Sequence, residues 1–199
     1  MDKAISRQYF NDHAQHWDET VRNNDPAKLQ ALANRLEFSE SAHVLDVGTG
    51  TGVFIPYLKT KLHPHGSVTS VDFAFQMVVQ AKRKIRFNHK HLVCAEIENF
   101  AAPAAYFDAV VCYSTFPHFH DKPAALENIF RLTRTGGRVF ICHTASREAI
   151  NAIHRNIPDF VDHLIPNESE MAALLKNAGF RDLDILASDS SYLALASKP

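Results

Sequence analysis

Residues 43–54, HVLDVGTGTGVF, set an apolar run directly before Gly48, Gly50 and Gly52, with one carboxylate, Asp46, inside the run. His43–Val47 reads as a strand, and the stretch after the loop, about 52–61, as a helix. Glycine admits positive φ and lacks the Cβ that would hold a ligand away from the backbone. Glycines spaced this closely at a strand-to-helix turn therefore describe a loop of close approach. In open α/β sheets, ligands bind beyond the carboxyl ends of the strands, where such a turn lies. The feature demands a parallel sheet flanked by helices.

The rest of the chain supplies one. Ser67–Asp72, His91–Glu96, Asp108–Ser114 and Gly137–Thr144 are short runs dense in Val, Ile, Leu, Phe or Cys. Their near-continuous apolar character suits strands buried on both faces. Helical stretches at about 74–87 and 121–133 alternate with them. Asp121 is placed to cap the latter, with Pro123 in its first turn and Gly136-Gly137 ending it. Asn167-x-x-Glu170 opens a further helix, 167–178, as a capping-box variant closed by Gly179. Strands at about 181–187 and 191–197 are joined by a turn short enough for antiparallel pairing. Ahead of all this, roughly residues 3–36 form a polar, helical arm carrying Tyr9, Phe10, His16 and Trp17. The expectation is one α/β domain over residues 1–199 with a doubly wound sheet, residues 1–36 forming its N-terminal arm.

Composition excludes several classes. A formal net charge of −1 and a pI near 6.9 give no basic footprint for nucleic acid. Hydrophobic residues at 46% argue against disorder. Cys94, Cys112 and Cys142 lie in apolar runs and read as buried, reduced thiols. The opening MDKAISRQYF has no apolar signal region, and no run is long enough to cross a bilayer, which points to a cytoplasmic protein.

Loop spacing narrows the ligand. A dinucleotide fingerprint, G-x-G-x-x-G, needs a glycine where this chain has Val53; the spacing here is G-x-G-x-G. Asp46, two residues before Gly48, would repel a pyrophosphate at the mouth of the loop and attract an ammonium or sulfonium. Asp72 follows Gly50 by 22 residues, about where an acid accepts hydrogen bonds from ribose hydroxyls. A ribose, a cationic tail and no phosphate describe S-adenosylmethionine. An NAD(P)-dependent oxidoreductase is the main enzymatic alternative, and the loop spacing and Asp46 count against it.

With YFNDHAQHWDE, VLDVGTGTG, VDFAFQMV, VCAEIENF, FDAVVCYSTFPHF and GGRVFICH, the sequence resembles class I S-adenosylmethionine-dependent methyltransferases. The resemblance is to the small-molecule branch that includes ubiquinone/menaquinone methyltransferases. It implies a Rossmann-like sheet of about seven strands, the last antiparallel, with S-adenosyl-L-methionine as cofactor. It implies Asp46, Gly48 and Gly50 at the methionine end, Asp72 on the ribose, and Phe73 and Met77 flanking the adenine. Glu96, where the family often has aspartate, would meet the adenine amino group, with the Ile97 backbone beside it. Tyr113 and Ser114 would lie next to the reactive methyl. Gly52 is read as serving helix–strand packing. The arm, with Tyr9 and Trp17, is expected to fold over the cofactor.

Methyl transfer from a sulfonium is an in-line displacement with a good leaving group, so the protein mainly aligns the reactants and excludes water. A base is needed only where the nucleophile must lose a proton. His118 follows the fourth strand into the expected site. Residues 143–166 carry His143, Arg147, His154, Arg155, Asn156, Asp162 and His163, and an insertion here commonly forms the substrate lid in the family. His143 ends a strand at the active face and is the best single candidate for a base or substrate ligand, faced by His154 and His163. These histidines either bind and deprotonate a small polar or aromatic acceptor, or hold a divalent metal with His118 or Asp162. No tight ligand spacing occurs among His143, His154 and His163, so no metal site is assigned. A non-catalytic sensor or partner subunit, and non-methyl chemistry on the same cofactor, stay open as alternatives, as does the oligomeric state.

Overall fold

The computed structural model describes residues 3–20, 25–85 and 91–199. Among these, β1 (His43–Val47), β2 (Ser67–Asp72), β3 (His91–Cys94), β4 (Phe107–Tyr113), β5 (Thr133–His143), β6 (Arg181–Ser188) and β7 (Ser191–Ser197) form one sheet. Its order is β3-β2-β1-β4-β5-β7-β6. The first five strands pair in parallel, and β7 runs antiparallel to both β5 and β6. The last strand is thus the reversed one, inserted between β5 and β6 rather than added at the edge.

The helices are α1 (Lys3–His13), α2 (Trp17–Thr20), α3 (Pro26–Asn34), α4 (Ile55–Lys59), α5 (Phe75–Lys84), α6 (Lys122–Leu132), α7 (Arg147–Arg155) and α8 (Glu168–Asn177). Alternate residues of β4 serve opposite faces of the sheet. Val110 and Cys112 pack with Leu126 and Ile129 of α6 and Met171 and Leu175 of α8. Ala109, Val111 and Tyr113 pack on the other side with Leu29 and Leu32 of α3 and Leu58 of α4. Both faces are covered, which is why the parallel strands read as unbroken apolar runs. Cys112 and Cys142 lie in these cores, whereas Cys94 is exposed at the end of β3, the edge strand of the sheet. No helix of the described residues is long and apolar enough to cross a membrane.

Several boundaries differ from the sequence reading. Helix α6 stops at Leu132 because Thr133 already pairs with Phe107, so β5 starts before Gly137. Gly136, at φ +74°, does not end a helix; it carries the irregular start of β5, donating to the Lys198 carbonyl at 2.8 Å. Helix α4 is confined to Ile55–Lys59 because residues 49–54 form the glycine turn. Strand β3 ends at Cys94, and the expected helical residues 86–87 lie outside the described residues, as do 21–24 of the arm. The polar segment after β5 contains α7, a helix the sequence reading did not assign. Ser146 caps it, accepting from the Ala149 N–H at 3.2 Å.

Buried Asn151 on α7 ties down the return of this segment. Its Nδ2 donates to the Ile165 carbonyl at 3.0 Å, and its Oδ1 accepts from the Ile165 N–H at 2.8 Å. Removing it strands a buried donor and acceptor. Asn151→Ala should cost about 1–3 kcal/mol, read as a lower urea midpoint with an unchanged m-value; an unchanged midpoint would show that the segment is held some other way.

Candidate active site

The loop between β1 and α4 is fastened to the end of β2. The N–H groups of Gly48 and Thr49 donate to the Val71 carbonyl at 2.8 and 3.1 Å. All three loop glycines have positive φ, at +67°, +55° and +83°. Each meets a different neighbour. A Cβ on Gly48 would strike Thr115 Oγ1 at 1.9 Å, so the absent side chain lets the loop after β4 close in. A Cβ on Gly52 would sit 3.3 Å from Ala81 and 3.4 Å from Ile55, so Gly52 serves packing between helices. Gly50 has no atom within 4 Å of that position and faces open space.

Asp72 ends β2 and closes the loop's other side. Its Oδ2 accepts from the Gly50 N–H at 2.8 Å and its Oδ1 from the Ala74 N–H at 2.9 Å. Each carboxylate oxygen thereby keeps acceptor capacity toward the space Gly50 leaves. Burial pushes its pKa up to about 6, against the hydrogen bonds from Ala74, Gly50 and Phe73.

Two cavities meet here. One is bounded by Val71, Ala95, Glu96 and Ile97; the other by Phe10, Trp17, Gly50, Met77, Tyr113 and Ser114. Gly48, Asp72, Phe73, Thr115 and His118 border both.

The arm crosses these cavities. Phe10 lies 5.3 Å from Trp17, 5.6 Å from Phe73 and 5.0 Å from His118, ring to ring, and stacks on Phe160 at 5.5 Å. Polar ties hold the arm at both ends. Glu96 pairs with Lys3 and Arg7, while Asp18 accepts from Thr51 Oγ1 at 2.5 Å and pairs with Lys84. Burial raises the Glu96 carboxyl, but Lys3 and Arg7 outweigh it and hold the group below its ordinary range. Trp17 borders the second cavity; Tyr9 borders neither, packing its ring on Phe160 at 4.6 Å.

Asp46 is not at the mouth of the loop. It is buried and borders neither cavity, and its Oδ2 accepts from Ser70 Oγ at 3.0 Å on the neighbouring strand. Burial raises its pKa to about 6, with the Thr49 and Ser70 hydroxyls pulling the other way. At the end of a buried parallel strand, its side chain points across the sheet.

Four histidines gather beside the two cavities. His118 borders both cavities and His163 the first, whereas His143 and His154 border neither. The His118 ring lies 4.8 Å from that of His154 and 5.2 Å from that of His163. His143 ends β5 as expected, but it is buried behind Ser114, with Nδ1 and the Ser114 Oγ 3.3 Å apart. The position expected for His143, facing the open cavity, belongs to His118. Burial lowers the pKa of each: His118 well below its ordinary value, His143 to about 3, His163 to about 4, and His154 in the same direction. Among the described residues, no group of three or more His, Cys, Asp or Glu is arranged to hold a metal ion. Thr115 and Phe160 were missed as site residues. The only sequence signal for Thr115 was its place after β4, and none marked Phe160.

Residues 45–141 match the family described as Methyltransferase domain. Over that segment the chain is similar to S-adenosylmethionine-dependent methyltransferases. It is 25% identical over 140 residues to a malonyl-(acyl-carrier protein) O-methyltransferase of Priestia megaterium, covering 69% of this chain and 50% of the relative. It is 28% identical over 134 residues to the ubiquinone/menaquinone biosynthesis C-methyltransferase of Vibrio campbellii, covering 65% and 51%. The chain spans about half the length of these curated relatives. A solved S-adenosylmethionine-dependent methyltransferase from Aquifex aeolicus shares the fold, with a TM-score of 0.71, 20% identity and 98% of each chain covered. The matched residues include the glycine loop, Asp72 and His118, but neither the arm nor the segment after β5.

The histidine cluster makes the fold sensitive to acid. In the unfolded chain histidine takes up a proton near pH 6.5, whereas the folded chain keeps His163 neutral down to about 4 and His143 to about 3. Acidification through that window therefore favours unfolding. Asp46 and Asp72 act in the opposite sense, because folding holds their protons up to about 6 while unfolded carboxyls release theirs near 3.9. His118, His143, His154 and His163 outnumber the two carboxylates. Thermal midpoints should fall between about pH 6.5 and 4.5, and His143→Phe should flatten the slope; midpoints that rise on acidification would contradict a neutral buried cluster.

Proposed function

We propose that the chain transfers a methyl group from S-adenosylmethionine to a small-molecule acceptor by in-line displacement, as a cytoplasmic enzyme that does not act on nucleic acid. The observation that carries this reading is Asp72, with acceptor capacity left on both oxygens beside the open space at Gly50, where two cavities meet. The residues fit the cofactor: an acceptor pair for vicinal hydroxyls, a glycine loop that leaves room for a ligand, and no Lys or Arg among the residues bordering the second cavity.

When bound, S-adenosylmethionine supplies a sulfonium methyl and a thioether leaving group. In this reading Asp72 takes the ribose hydroxyls. Phe73, Glu96 and Ile97 line the adenine side, Gly48 and Gly50 the methionine end, and Tyr113 and Ser114 the methyl. Met77 backs the cofactor from α5, and Asp46 orients the loop from beneath through its strand. The arm, residues 1–36, closes the site: Phe10 and Trp17 exclude water, with Tyr9 supporting them through Phe160. The segment 143–166 acts as substrate lid, bringing His154 and His163 to His118, while His143 fixes Ser114. The acceptor occupies the rest of the second cavity, whose aromatic walls and covering arm suit a small molecule. The whole chain works as one such unit. The names of the relatives, O- and C-methyltransferases acting on different acceptors, support the reaction type without choosing the acceptor.

Calorimetry with S-adenosylmethionine and S-adenosylhomocysteine tests the cofactor. Both should bind, and Asp72→Ala should weaken both by about 1.5–3 kcal/mol, a roughly 10- to 150-fold rise in Kd. Binding of NAD(P) with no affinity for either sulfur compound would overturn the reading.

A further inference from the structure

His118 and His163 approach through like atoms, with their Nδ1 nitrogens 3.0 Å apart. Two imidazole nitrogens at that distance share one hydrogen, because two lone pairs or two N–H groups would repel. The next contact fixes another ring. His154 Nδ1 faces the His163 carbonyl oxygen, which only accepts, so His154 carries its hydrogen on Nδ1. That bond also holds the His163 backbone, and Phe160 stacks on the His163 ring at 5.0 Å. His118 is clasped by the edges of Phe10 and Phe160, each 5.0 Å away, and borders both cavities. His163 is only partly buried. With Nδ1 spent inside the pair, Nε2 is the nitrogen His118 has left for a molecule in the cavities, and the one His163 has left for water.

We propose that His118 and His163 form a two-imidazole relay that carries the acceptor's proton from the methyl-transfer cavity to water, and that the acceptor bears a proton on its attacking atom, as a hydroxyl, thiol or amine does. The inference rests on the methyl-transfer reading and deepens it. In the competent state His118 carries its hydrogen on Nδ1 and His163 on Nε2. The attacking lone pair forms the bond to the methyl carbon, the carbon–sulfur bond breaks with its electrons on sulfur, and His118 Nε2 accepts the acceptor's proton. The Nδ1 hydrogen of His118 passes to His163 Nδ1, and His163 Nε2 releases its own hydrogen to water. One positive charge enters on sulfur and one leaves as a proton.

The surroundings favour passage over retention. Lys122 of α6, donating to the Pro117 carbonyl at 3.2 Å, lies near the pair, as do His154 of α7 and His143 of β5. Burial and these neighbours disfavour a lasting imidazolium on His118, while Asp162 acts the other way on His163; Asp72 borders the same two cavities as His118. After one transfer His118 holds its hydrogen on Nε2 and His163 on Nδ1. The pair resets when His163 Nε2 takes a proton from water, the shared hydrogen returns to His118 Nδ1, and His118 Nε2 gives its proton to water in the emptied cavity.

Nitrogen-15 histidine NMR of the protein bound to S-adenosylhomocysteine tests the relay. Near neutral pH both rings should be neutral, with one Nδ1 of the pair protonated and the other bare. Exchange of the His118 ring hydrogen with water should slow by about tenfold or more in His163→Phe, where the ring is kept but cannot carry a proton. Two Nε2–H tautomers in the wild-type complex, an imidazolium at either position, or exchange unchanged in the variant would each overturn the relay. Should the variant not fold, the wild-type tautomers decide alone. A protein that does not bind S-adenosylhomocysteine fails the methyl-transfer reading; one that binds it with the wrong tautomers fails only the relay.

Discussion

The bond from the Gly50 N–H to the Asp72 carboxylate, 2.8 Å long, ties the glycine loop after β1 to the end of β2, where the two cavities meet. It needs a loop that turns at positive φ, which glycine supplies, and a carboxylate at the last residue of β2. It also needs β1 and β2 in parallel register, so that Val47 and Val71 stand level and the Val71 carbonyl catches the loop's first N–H groups. The apolar burial of both sheet faces sets that register. The site is therefore a consequence of the sheet, and the carboxylate that would grip a ribose is already held in place by backbone.

Around this fixed floor the other walls are assembled from distant parts of the chain. The arm brings Phe10 and Trp17, the loop after β4 brings Thr115 and His118, and the segment after β5 brings Phe160 and His163. These parts meet through aromatic edges and a few ion pairs rather than through strand pairing. Such contacts hold less firmly than the sheet and suit walls that must part to admit cofactor and acceptor.

The floor was legible in the sequence and the walls largely were not. The G-x-G-x-G loop, Asp72 and the alternation of strands and helices are local patterns, and local patterns survive in a single sequence. The capping box at Asn167 and the N-cap at Asp121 were legible for the same reason. Which histidine faces the cavity depends on tertiary placement. His143 stands at the expected strand end, but Ser114 screens it, and His118 in the next loop takes the open position. Asp46 shows the same limit: its spacing from the loop was visible, yet its side chain turns to Ser70 instead of the mouth. Helix α7 was hidden because residues 143–166 are rich in polar and histidine residues that read as irregular lid.

The central claim is that one molecule lies across both cavities with its ribose on Asp72 and its sulfur beside Ser114. A crystal structure of the S-adenosylhomocysteine complex tests it most directly. The account predicts ribose hydroxyls within hydrogen-bonding distance of both Asp72 oxygens, adenine between Phe73 and Ile97, and sulfur facing the cavity that His118 borders. Adenosine bound elsewhere, or sulfur turned away from Ser114 and His118 with the ribose off Asp72, would contradict it.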